Sequence, residues 1–175
     1  MTLFGGVPAG WRTSSRDSLP DPGWAQVYRS FDVISPWAVG RFRDHPGIEG
    51  FYREQAGPDL IETRAAGIEY MPVVFPGFSW RNMNPDAPAN QIPRHGGRFL
   101  WRQIEAALAT GATMLYGAMF DEVDEGTAFF KVAATPREAP REVPTVTLDI
   151  DGVATPGDWY LRLAREAQLW LGRRD

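Results

Sequence analysis

Apolar residues gather along this chain in four short runs, separated by longer stretches in which they recur every three or four positions. The runs are "TLFGGVP" near the start, then "FDVISPW", "EYMPVVFPGFSW" and "ATMLYGAMF". Short apolar or β-branched runs bounded by Gly and Pro predict strands. Val33 and Ile34 mark the second, and Val73, Val74 and Phe75 the third. The fourth is almost wholly apolar, which predicts a strand covered on both faces.

The intervening stretches carry helix signals. "DPGWAQVYRSF" opens with Asp and Pro as cap and first turn. "FYREQAGPDLIETRAAG" predicts one or two helices, with Pro58 suited to a first turn and Gly67 to a stop. In "RFLWRQIEAALATG" a stripe of Leu100, Ile104 and Leu108 ends at Gly111. The last, "GDWYLRLAREAQLWLG", runs from Asp158 as N-cap to Gly172. Strands alternating with helices predict an α/β fold of parallel βα units.

Two connections are long. Residues 82–97, rich in Asn, Pro and Gly, directly follow the third strand, where such a loop is expected to be functional. Residues 133–144 are Pro-rich and charged and read as a surface connector. After them, "TVTLDIDGV" predicts a short extra strand ending in an Asp-Gly turn. Its "DID" resembles the start of a calcium loop, but the later oxygen ligands and closing Glu are missing, which argues against a metal there.

Composition narrows the function classes. At 175 residues, with 43% hydrophobic and 23% charged content, residues 1–175 read as one globular domain. A net charge of −4 and a pI near 5.2 give no reason to expect nucleic acid, whose binding requires clustered positive charge. The chain has no Cys, hence no disulfide and no thiolate nucleophile or metal ligand. No stretch reaches the roughly 18 apolar residues of a membrane span, and the start lacks a basic region followed by a long apolar one, so neither membrane nor targeting is expected. The compartment stays open.

The strand ends share residue types. The first continues with Pro8, Trp11 and Arg12, the second with Pro36, Trp37 and Arg41, and the third with Pro76, Trp80, Arg81 and Asn82. The fourth supplies Asp121, Glu122, Asp124 and Glu125. Units wound the same way bring all four ends to one face, the face that bears sites in parallel α/β proteins. Trp beside Arg and acids there suits a carbohydrate, whose C–H face packs on an aromatic plane while its hydroxyls meet polar partners. Where the strand yields to a turn, Glu122 and Glu125 can converge, and converging carboxylates drive their pKa values apart, as glycoside hydrolysis needs. Arg81, Arg94, His95 and Arg98 are the nearby cations expected to offset the surplus acid.

With "DEVDEGT", "FDVISPW", "PVVFPGFSWRN" and "GGRFLWRQ", the chain resembles family 99 glycoside hydrolases, the endo-α-mannosidases and their bacterial relatives, from about Leu3 to the final helix. Their Asn-Glu-Trp-His-Glu-Gly-Thr segment lies near the end of a (β/α)8 barrel and matches at Glu122, Glu125, Gly126 and Thr127. The resemblance implies that Glu125 is general acid and then base. It implies that Glu122 deprotonates the 2-hydroxyl for retention through an epoxide-like intermediate, without metal or cofactor. Asp121, Val123 and Asp124 stand where the family has Asn, Trp and His. The expected ligand contacts are Trp37, Arg41, Trp80, Arg81, Asn82, Asp121, Asp124, Arg94 and His95.

A complete barrel takes eight units and about 250 residues, whereas the four units here match the family's C-terminal half of a TIM-type (β/α)8 barrel. Half a barrel has two unpaired edges, so a homodimer or a missing N-terminal half is expected to complete it, and the isolated chain is expected to be weakly active or inactive. Full-length relatives are often exported. Two other readings stay open: a non-catalytic carbohydrate-binding or degenerate remnant, and a metal-dependent hydrolase using the acids of 121–125. The first reading needs the two Glu carboxylates at one cleft, the second leaves them splayed or salt-bridged, and the third puts an ion among them.

Overall fold

The computed structural model describes residues 1–173. Strand β1 (Phe4–Val7) leads through helix α1 (Pro22–Tyr28) to β2 (Val33–Pro36), and the two run parallel with Phe4 opposite Val33 and Val7 opposite Pro36. A long helical passage then returns to β3 (Glu69–Tyr70), which pairs parallel to β2. Two residues on, β4 (Val73–Val74) pairs parallel with β5 (Tyr116–Gly117), reached through α4 (Arg98–Ala109). Helix α5 (Trp159–Leu171) closes the chain. These are the expected parallel βα units.

The third apolar run therefore forms two strands. Met71 N–H donates to Ile34 O at 2.9 Å on one side, whereas Pro72 O accepts from Tyr116 N–H at 2.9 Å on the other. Pro72 has no N–H to give the first ladder, and there the chain exchanges one partner for the next. Order β1-β2-β3 is thus followed by a separate pair β4-β5.

One face of the strands is covered by helices. Along β1, Gly5 and Val7 are buried while Phe4 and Gly6 are exposed, the alternation of a strand with one covered face. Val7, Ile34, Tyr28 and Trp11 form the core under α1; Tyr70, Val73, Phe75 and Phe99 join the core under the middle helices; Val74, Leu100, Ile104 and Tyr160 form the third core. The fourth run departs from expectation. In β5, Tyr116 is half-buried and Gly117 exposed, so this strand is not covered on both faces.

The middle helix begins earlier than predicted. Asp44 caps α2 (His45–Phe51) by accepting from Gly47 N–H at 2.8 Å, and α3 (Gly57–Ala65) follows across one π turn at Tyr52–Ala56. Pro58 causes that turn: its ring excludes the ordinary bond to Glu54 O, and Gly57 N–H reaches back to Tyr52 O. At α5, the Asp158 side chain accepts from Arg162 at 3.0 Å and caps no backbone N–H. The predicted strand in "TVTLDIDGV" is replaced by a non-ladder segment: Leu148 and Asp149 N–H donate to Ala133 and Ala134 O, and a turn closes at Gly152, φ +74°.

Candidate active site

The acidic turn is a loop closed at its neck. Ala118 N–H donates to Val74 O at 2.9 Å as β5 ends, and Met119 N–H to Thr127 O at 3.2 Å shuts the loop that carries residues 120–126. Inside, Gly126 has φ +69°, a left-handed conformation that favours glycine. Thr127 Oγ1 donates to Glu122 Oε2 at 2.5 Å, orienting that carboxylate.

Three successive carbonyls of the turn are held by the segment after β4. Asp124 O accepts from Asn82 Nδ2 at 2.7 Å, Glu125 O from Ser79 N–H at 2.7 Å, and Gly126 O from Arg94 Nη2 at 2.8 Å. The backbone is thus fixed while the acid side chains stay free of ion pairs among the described residues. Burial pushes the Glu125 carboxyl above its ordinary value of 4.5, and the charges of Glu122 and Asp124 push it further in the same direction. Glu125 therefore holds its proton to higher pH than a free carboxyl.

No family model matches the chain, and no curated protein matches its sequence. Among solved structures it is similar to the GH99 endo-alpha-mannosidase from Bacteroides thetaiotaomicron, at a TM-score of 0.64 and 15% identity over 82% of this chain. The same mannosidase in complex with BIS-TRIS-propane gives 0.63 and 16% over 88%. The chain has the fold of part of a GH99-type barrel. It spans only 39% and 43% of the length of those two chains.

Within this GH99-like fold the Trp residues divide. Trp37 and Trp80 are 39% and 40% exposed, and Trp80 stacks on Phe78 at 5.8 Å. Trp11, read from sequence as their equivalent, is fully buried, and its Nε1 donates to Asp59 Oδ2 at 3.1 Å. Asp59, itself fully buried, also takes Arg12 Nε at 2.6 Å, so this strand end supplies core instead of ligand surface. Trp11 was indistinguishable in sequence because Asp59 lies 48 residues away.

The expected cations are not arranged to neutralise the acids. Arg94, 2% exposed, donates Nη1 to Val146 O at 3.0 Å and its other arm to the turn backbone, so it supports the turn from beneath and presents no donor to a ligand. Arg41 pairs with Asp17 at 2.6 Å, and Arg81 donates to Ala87 O at 3.0 Å. His95 is exposed, with φ +50° and its N–H on Asp151 Oδ2 at 2.7 Å. Asp121 and Asp124 are exposed at the turn, and Asn82 spans Asp124 O and Pro144 O. In the "DID" segment, Asp149 accepts from Thr147 and Asp151 from Asn90 and His95. Ser79 escaped the sequence reading because it acts through a backbone N–H, which no residue type signals.

Proposed function

We propose that this chain carries the carboxylate pair of a retaining glycosidase acting on α-mannoside-type O-glycosidic bonds. The observation that carries the reading is Glu125, raised in pKa by burial and by Glu122 beside it, on a turn whose backbone is pinned at three consecutive carbonyls. A carboxyl of raised pKa beside a second carboxylate is the arrangement on which the acid-base division of glycoside cleavage is built. Likeness to a GH99 endo-alpha-mannosidase fold supports the same assignment.

In this reading protonated Glu125 donates to the departing glycosidic oxygen. Glu122, oriented by Thr127, takes the proton of the sugar 2-hydroxyl, whose oxygen attacks the anomeric carbon as the glycosidic bond breaks. Water then opens the three-membered ring, with Glu125 as base and Glu122 returning the proton, and the anomeric configuration is retained. Trp37 and Trp80 supply the apolar platform. A second set of βα units, from another copy or another chain, completes the walls. Hydrolysis of an aryl α-mannoside tests this: Glu125→Gln and Glu122→Gln are each expected to lower kcat by about 10²–10⁴-fold, and unchanged turnover in Glu125→Gln would sink the assignment.

A second reading, non-catalytic carbohydrate binding, is favoured by the openness of the Trp face, with both rings well exposed. Saturable binding of mannosides with no turnover, even when a complementary half is supplied, selects it.

A further inference from the structure

Among the described residues β1 pairs only with β2 and β5 only with β4, so the far side of each is without a ladder partner. The helices beside them are open on the same sides. In α1, Tyr28 is the buried residue and Arg29 reaches across to Glu62 of α3. At about 100° per residue, Val27 lies on the opposite flank of Tyr28 from Arg29, with Trp24 between them. These two apolar side chains are 44% and 42% exposed. In α5, Tyr160 and Ala167 are buried and Trp170 stacks on Trp101 of α4 at 5.5 Å. By the same rotation Leu161, 39% exposed, lies on the flank away from α4.

We infer that a second copy of this chain closes the barrel, the β1 and α1 edge of each copy docking on the β5 and α5 edge of the other about a two-fold axis. The loop after β1, with Arg16, then lies beside the acidic turn of the partner copy. The closure rests on the fold, and the place of that loop at a catalytic site rests on the glycosidase reading.

Number, direction and charge select a copy of the same chain. Its units are headed by β1, β2, the β3 and β4 run, and β5, four of the eight that a complete barrel takes. Four units turn half way round the barrel, so a two-fold rotation closes it and leaves no edge for a filament to grow from. The strands are parallel, and rotation about the barrel axis keeps their direction. Strand β5 of one copy therefore meets β1 of the other in parallel, with all carboxyl ends at one mouth.

The rims of the two edges carry opposite charge. At the end of β5, residues 121–125 hold four acids without an ion pair among the described residues. After β1, Arg16 is exposed and makes no hydrogen bond or ion pair with a described residue. Closure sets these two strand ends side by side. The two acidic turns of the dimer stand four strands apart, across the mouth from one another.

Sedimentation equilibrium of the full chain tests this. A species of twice 19.5 kDa is expected at about 10 μM. Trp24→Glu spoils the first edge and Leu161→Lys the second, each at an exposed position, and each is expected to raise the dimer Kd about tenfold or more. Circular dichroism confirms that both variants fold. Mixed in equal amounts, the two keep one seam intact and set Glu against Lys in the other, so the mixture is expected to dimerise about tenfold more tightly than either alone. Arg16→Glu is expected to raise the Kd about threefold in low salt and to lose that effect in about 1 M salt. A monomer at that concentration, a dimer that both edge variants leave intact, or a mixture no tighter than its parts overturns the second copy. So does a chain that stays monomeric and closes only on an added N-terminal half-barrel. Undiminished hydrolysis by Glu125→Gln defeats the glycosidase reading alone and leaves the dimer standing.

Discussion

Replacing Arg94 by Met removes the deepest support of the acidic turn and keeps most of the aliphatic stem. The guanidinium is 2% exposed; it serves Gly126 O at 2.8 Å, Val146 O at 3.0 Å and Thr147 O at 3.3 Å, and lies 5.9 Å from the centre of the Tyr160 ring. Each buried acceptor left without a donor costs about 1–3 kcal/mol. The two short bonds alone therefore set a loss of about 2–6 kcal/mol. Met also removes the cost of burying a cation, which is what pushes Arg94 below its ordinary pKa, and this offsets part of the loss.

The expected net effect is a destabilisation of about 3 kcal/mol, a large share of the 5–15 kcal/mol typical of a folded domain. Urea unfolding followed by Trp fluorescence measures it. Arg94→Lys, which can reach one of the two carbonyl groups, should fall about midway. Carboxyl titration by NMR adds a readout at the site: with Gly126 O released, the Glu125 pKa should drift down towards its ordinary 4.5. A Met variant within about 1 kcal/mol of the parent, with Glu125 titrating as before, would refute the claim that this loop holds the turn.

Glu125→Gln should stabilise the chain at pH 7 by a few tenths of a kcal/mol, a small figure because the carboxyl is only partly buried. Its folded pKa is raised, so the proton's stabilising contribution is complete below about 4.5 and disappears as pH rises through the folded value; the Gln advantage should vanish at pH 4, and a constant advantage from pH 4 to 7 would contradict the sign. Gln103→Leu should cost about 2–3 kcal/mol, because this fully buried amide accepts from Phe75 N–H at 3.1 Å and donates to Phe75 O at 2.8 Å and Phe99 O at 3.0 Å. Differential scanning calorimetry reads the loss, and an unaltered Tm would show that Phe75 finds other partners.

Local signals placed β1, β2, α4 and α5, because the apolar patterns that form them are contained within each segment. What depends on distant partners was not legible. Pro72 is an unremarkable residue of an apolar run until two different neighbours flank it. Residues 145–148 have the composition of a strand, but the backbone beside them, 133–134, forms no ladder. The same limit applied at the site. The acids were visible as a cluster, and Trp37 and Trp80 as repeated strand-end residues. The fate of Trp11 was decided by Asp59, and that of Arg94 by carbonyls 32 and 52 residues further on. The cavity lined by Val123, Lys131, Glu138 and Val143 has no sequence signature, since the connector that forms one wall of it has the composition of an ordinary solvent-facing link.

The change of partner at Pro72 also has a dynamic meaning. Cooperative opening follows contiguous hydrogen-bonded blocks, and this chain has two: a block of β1, β2 and β3, and a smaller one of β4 and β5 with two residues in each strand. The acidic turn, Trp80 and their supporting loop all belong to the smaller block. Amide exchange should be faster at Tyr116 and Ala118 than at Ile34, so the part that bears the carboxylates breathes while the part beneath Trp37 stays shut. Opening is thereby expected first at the acidic turn, the place where the proposed substrate would enter and leave.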